Sequence, residues 1–332
     1  MSYQTASDRV AALRNIRGGR LTKWKGVVVS CAPTMGVVAL AISTLGVAGA
    51  ANAANECGAA GATVICDAAD AGHPNYPTGI IYTNVASAMT LTLNDAAIVV
   101  GNPGVSVSGS AANTGAITVN GTSFGTITTS ARGISAVTAG VGATLAQMDG
   151  GTVATGGTTA HGLYSNAANA ASTATATALL TGGTVTAAGG QSYGVYALTS
   201  GLGGATAQMN DGSITMTGSA NRGIVSVVNN ALNTGGSTAR LNLGDIKTTG
   251  FGSFGVYANN SGLGATLSEL NGGTISTEGF SARGLYSRTE GSINANQTTA
   301  VMTSGSITTL LGDSHAIYAR TDSLGNAVAQ MD

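Results

Sequence analysis

Apolar positions along the 332 residues fall in short runs separated by Gly, Asn, Asp, Ser and Thr, with no helical spacing sustained over a long window. One phrase recurs: Gly, then Ile, Leu or Val, then often Tyr. It stands at Gly133-Ile134-Ser135, Gly162-Leu163-Tyr164, Gly194-Val195-Tyr196, Gly223-Ile224-Val225, Gly255-Val256-Tyr257, Gly284-Leu285-Tyr286 and Ala316-Ile317-Tyr318. Its aliphatic residues are 29, 32, 29, 32, 29 and 32 positions apart. A second ladder (Val153, Val185, Ile214, Ile246, Ile275, Ile307) lies ten residues upstream of the phrase. A third, Met148, Leu180, Met209, Leu241, Leu270, Met302 and Met331, comes five residues before the second wherever one follows. Ile127 precedes Ile134 by only seven, which places the expected start of the array there.

The length variation falls in one loop, after the Tyr slot, for instance around Asn166 to Thr175. Each repeat therefore reads as three short β-prone stretches joined by turn residues, too small to bury an apolar face alone. Stacking puts each slot over its predecessor at the inter-strand spacing, so that Ile lies on Ile and Met on Leu. The expected fold is all-β: a right-handed parallel β-helix of about seven coils, a rod of roughly 34 Å at ~4.8 Å per coil. Leucine-rich and helical solenoids are disfavoured because Gly, Thr and Ser fill the repeats.

Composition agrees. The 51 glycines, 4% aromatic and 8% charged residues argue against an ordinary globular enzyme core. A chain 43% hydrophobic with formal charge −1 is not of the disordered class, and four prolines without a Gly period exclude collagen.

Residues 1–53 read as an extended signal peptide with its own helix. Arg9, Arg14, Arg17, Arg20, Lys23 and Lys25 precede an uncharged stretch from Gly26 to Val47, and Ala51-Asn52-Ala53 offers the small residues a signal peptidase accepts. Cleavage is expected between Ala53 and Ala54. An uncleaved anchor is the other reading, against which stand Pro33, the glycines and the small-residue exit. Cys31 sits too early in the apolar run for a lipoprotein cysteine. The remaining chain carries seven basic and thirteen acidic residues, a net charge of −6, and has no basic patch for nucleic acid. Cys57 and Cys66 read as a disulfide in an exported chain. A metal pair is the alternative, with only His73 nearby to extend it. Residues 54–124 are expected to form the cap and irregular first coils, and 125–332 the repetitive β-helix.

Immediately before the phrase's Gly stand Arg132, His161, Tyr193, Arg222, Phe254, Arg283 and His315. This planar column is either a binding ridge for glycan or protein or a self-stacked solvated corner, and stacked coils produce such columns automatically. The Tyr column after it reads as rim or core packing. Gly312-Asp313-Ser314-His315 resembles a hydrolase turn, but Ser314 falls in the slot of Ser253 and Ser192, and His315 in that of Phe254 and Tyr193. No catalytic set, metal cluster, calcium nonapeptide, phosphate loop or cofactor motif stands out.

The long basic leader, Cys57-x8-Cys66 just behind it, and the Gly-[Ser/Ala]-x-Gly-[Val/Leu/Ile]-Tyr coils resemble the passenger domains of classical, pertactin-like type V autotransporters of Gram-negative bacteria. That resemblance covers essentially the whole chain. It implies a right-handed β-helix carried to the cell surface by a C-terminal outer-membrane β-barrel, and a role in adhesion or virulence toward a host-cell protein or glycan. The barrel's alternating strands are absent from these residues, so an N-terminal fragment or truncated frame is expected, confined to the periplasm without a translocator. Scaffold for a catalytic region lying further on, and pure spacer, are the competing readings.

Overall fold

The computed structural model describes residues 57–67, 75–94, 98–291 and 293–332, all within the unit Ala48–Asp332. The expected leader helix and the Ala53/Ala54 cleavage pair lie outside them. Twenty-eight strands, and no helix, make up these residues, and each strand pairs in parallel with the strand three places along the chain. The result is three sheets of ten, nine and nine strands wound as a parallel β-solenoid.

Each ladder in the sequence is one inward-facing slot of one sheet. In the ten-stranded sheet, Met148 pairs with Leu180, Leu180 with Met209 and Met209 with Leu241. In the second sheet Val185 pairs with Ile214 and Ile214 with Ile246. In the third Leu163 pairs with Val195 and Val195 with Ile224. Alternation along the strands sends these residues inside and, on the first two sheets, chiefly Thr and Gln outside, which makes one continuous narrow core; on the third sheet Ser165, Ser226 and Ser287 are buried on the inner side beside the aliphatic residues. The phrase's Gly is a close approach: a Cβ on Gly194 would lie 2.6 Å from Cγ2 of Ile214 in the following turn. The Gly therefore lets the third sheet close onto the second.

The expectation of about seven coils is too low. Nine complete turns are present, roughly 43 Å at ~4.8 Å each, with the strand Ala327–Met331 opening a tenth. The early turns use the same slots with other residues. Gly79-Ile80 and Gly104-Val105 occupy the phrase position without a Tyr, and Ile80 pairs with Val105 and Val105 with Ile134. Tyr76, Val99 and Ile127 begin the second ladder, and Cys66, Leu93 and Gly121 the third. Gly121 leaves a hole in its ladder that Phe124 fills: a Cβ there would lie 2.5 Å from the Phe124 ring. Ile127 is thus a middle rung of its ladder, not the first.

The alternating repeat length comes from eight-residue loops at 168–175, 229–236 and 290–297, set between five-residue loops at 200–204 and 261–265. The long loops are held by a buried polar slot that the apolar pattern did not reveal. Asn294 donates from its amide to the carbonyls of Gly262 (2.7 Å) and Gly264 (2.8 Å) in the shorter loop of the preceding turn. Asn233 does the same to Gly201 and Gly203, and Ser172 reaches Val141 O at 3.0 Å. Buried carbonyls left without partners are costly, so each long loop satisfies the short one before it.

Candidate functional site

The ridge lies at the entry to the third sheet, where the chain turns through a left-handed residue two places upstream. Thr159, Gln191, Ala220, Ser281 and Asp313 hold φ of 54 to 56°, and Gly252 takes the same place at 63°. This bend lays the planar side chains over one another: Tyr193 pairs with Arg222, Arg222 with Phe254, Phe254 with Arg283, and Arg283 with His315. Beside them on the outer face of the same sheet runs the column Tyr164, Tyr196, Val225, Tyr257, Tyr286 and Tyr318. The two columns pack together into a second apolar cluster outside the solenoid core.

Cations and rings alternate in this strip. The Arg132 guanidinium lies 4.0 Å from the Tyr164 ring centre. Arg222 sits between Tyr193 and Phe254, 5.0 Å from each, and donates from Nη1 to the Tyr193 hydroxyl at 2.6 Å. Arg283 sits between Phe254 at 5.2 Å and Tyr286 at 4.5 Å. His161 stacks on Tyr193 with centroids 4.8 Å apart and planes within 11°. Each cation–π contact of this kind contributes about 0.5 to 2 kcal/mol, more where water is excluded.

Electrostatics follow from this packing. Burial, and secondarily the Arg132 charge, push the His161 imidazole down to about 3, and its Nδ1 accepts the Tyr193 backbone N–H at 3.2 Å. His161 is therefore neutral at ordinary pH. Burial lifts the Tyr257 phenol to about 12 against the opposing pull of Arg222, and raises Tyr164, Tyr196 and Tyr286 as well.

The other candidates have structural partners. Cys57 and Cys66 are joined in a disulfide, with Cys66 buried as the first rung of the Met ladder. Ser314 Oγ accepts the Ala282 N–H at 3.2 Å and donates to Gly279 O at 3.2 Å, as Ser192 does with Ala160 (3.1 Å) and Gly157 (3.2 Å). His315 packs against Tyr318 with centroids 4.9 Å apart. Among the described residues no group of three His, Cys, Asp or Glu is placed to hold a metal. A shallow groove of about 630 Å³ runs over Thr128, Ala154, Thr186 and Thr215 on the second sheet, and a polar cup of about 340 Å³ adjoins Arg132. Sequence reasoning missed the asparagine slot, whose signal is a 61-residue spacing from Asn233 to Asn294, twice the repeat.

The geometry defines a parallel β-solenoid with a lateral aromatic and arginine ridge. Compared with known proteins, the chain matches no family model, no curated protein and no solved structure.

Proposed function

We propose that this chain is an exported, surface-exposed or secreted stalk of the autotransporter-passenger kind, non-enzymatic, that binds a host-cell protein or glycan along its side. The observation that carries the reading is the ridge, which runs from Arg132 to His315 over seven consecutive turns and builds a long lateral surface that no single turn could make. The disulfide at its N-terminal end supports an oxidising destination. Right-handed winding belongs to the same proposal, because parallel crossover connections take that hand almost without exception. An outer-membrane β-barrel translocator is the partner that delivery to the surface requires.

The test is export in a Gram-negative host with the chain joined to such a barrel. The expected outcome is a mature N-terminus at Ala54, protease-accessible coils on intact cells, and adhesion to host cells that falls in an Arg222→Ala, Arg283→Ala variant of unchanged expression. Cytoplasmic retention with an intact leader overturns the export reading. Export without adhesion by either form reduces the protein to a spacer, the reading favoured only if the ridge is inert.

A further inference from the structure

The seven basic residues among the described positions divide into two groups. Arg240 pairs with Glu269, Lys247 with Glu278, Arg288 with Glu290 and Asp322, and Arg320 with Asp322. Arg132, Arg222 and Arg283 make no ion pair among the described residues, and all three stand on the ridge. All three are half-buried, Arg132 against the Tyr164 ring and Arg222 and Arg283 between rings, and the Nε atoms of Arg222 and Arg283 are buried without a hydrogen-bond partner. Ring faces compensate part of a guanidinium's lost hydration but do not neutralise its charge. The ridge thus carries a line of three cations, none of them in an ion pair among the described residues. They lie roughly 14 Å apart from Arg132 to Arg222, three turns, and roughly 10 Å from Arg222 to Arg283, two turns.

At the first of them the surface is concave. The cup of about 340 Å³ is lined by Arg132, Pro103, Ser106, Ser130, Thr158 and Thr159 together with Ala131, and by no acidic side chain. A guanidinium fork with hydroxyl donors around it is oxyanion chemistry.

Resting on the reading of the ridge as a binding surface, we infer that its ligand is an acidic polysaccharide. One carboxylate or sulfate of that chain sits in the Arg132 cup, and others meet Arg222 and Arg283 further along the rod. Three observations select an extended acidic sugar chain. The ring faces that would stack nucleobases are already covered by arginines and by neighbouring rings. Ridge strands such as Arg222–Val228 are paired on both sides and offer no edge to an extended peptide. The chain's net charge, −6 once the leader is removed, repels a dense polyanion or an anionic membrane, so attraction is confined to the spaced cations.

The experiment titrates labelled hyaluronate oligosaccharide, whose carboxylates fall only on alternate sugars, into the purified, leader-free chain, with dextran and polyglutamate as comparison probes. Expected are binding of a charged saccharide, none of dextran, and about tenfold weakening when salt rises from roughly 50 to 200 mM. Arg132→Gln, at the open cup, is expected to weaken binding at least about fivefold, and Arg132→Lys to weaken it less, because the ammonium keeps the charge but not the planar two-pronged fork. Arg320→Gln removes the same charge from an ion pair off the ridge and leaves affinity unchanged, and thermal melting of each variant reports an intact fold. The inference is overturned by absence of saccharide binding at low salt, by equal losses in Arg132→Gln and Arg320→Gln, or by equally tight binding of polyglutamate, which would make the ligand an acidic peptide. Adhesion to host cells without saccharide binding would sink this inference and leave the binding ridge standing.

Discussion

The first three turns of the solenoid and the later ones spend their aromatic residues on opposite sides of the same sheets. Tyr76 and Tyr82 are fully buried inside the early turns, and Phe124 joins them, while the outer positions nearby hold Ser106 and Ser135. From Tyr164 onward the solenoid interior holds no rings, and those of the ridge and the column beside it lie on the outer face of the third sheet. The consequences differ. Inside, the Tyr76 hydroxyl donates to Asp67 O (2.9 Å) and that of Tyr82 to Gly58 O (3.1 Å), fastening the disulfide-bearing segment to the end of the core. Outside, the rings give half-buried arginines something to lie against. A stack of this kind transmits little beyond nearest neighbours, so its two ends can solve the packing problem separately.

The sharpest way to break this comparison is at Phe124. Phe124→Ala empties the space beside Gly121 and is expected to cost about 3 to 5 kcal/mol by chemical denaturation. Gly121→Leu alone is also expected to destabilise, by overpacking against the Phe124 ring. Combined, the two should recover much of the loss, because the early turn then fills the Met slot as the later turns do. Simple additivity of the two losses would mean that Phe124 is not standing in for the missing rung.

Acid should act on the later turns. The folded His161 lies near 3 and the unfolded imidazole near 6.5, so the unfolded chain binds the extra proton between these values. That contribution to stability is fully present above pH 6.5 and is lost as pH falls, by about 1.4 kcal/mol per unit down to pH 3. His161→Phe, which keeps a ring against Tyr193, should flatten the slope. An unchanged slope would place the acid sensitivity elsewhere.

The smallest effect concerns the bend beneath the ridge. Ala220 occupies a left-handed position that Gly252 takes without strain one turn later, so Ala220→Gly should stabilise by up to about 1 kcal/mol in a thermal melt. A loss of stability would show that the corner is held by its neighbours at no cost.

The array was legible from Ile134 onward because its inner slots repeat one class of residue at a constant interval. The first turns were not, because Cys66, Gly121 and Tyr76 fill the same slots with unlike residues and uneven steps, 23 positions from Tyr76 to Val99, 27 from Thr63 to Thr90 and 28 from Met89 to Ile117. The ridge was visible as a column, but its sandwiching was not. Whether Arg222 meets a ring or a carboxylate depends on Tyr193 and Phe254, 29 and 32 residues away. The asparagine slot was hidden for a similar reason: a polar residue in a loop looks solvated until the neighbouring turn covers it, as it covers Asn233 and Asn294.

By itself, the amino-acid order determined that the chain must coil into stacked three-stranded turns, since aliphatic residues at equal intervals can share one dry interior only by lying over each other. Packing in space decided where the turns begin, on which face the rings lie, which loop asparagines are buried and which arginines meet rings rather than carboxylates. Those outcomes depend on groups a whole turn or two apart in the chain, and their contacts exist only after the register has been set.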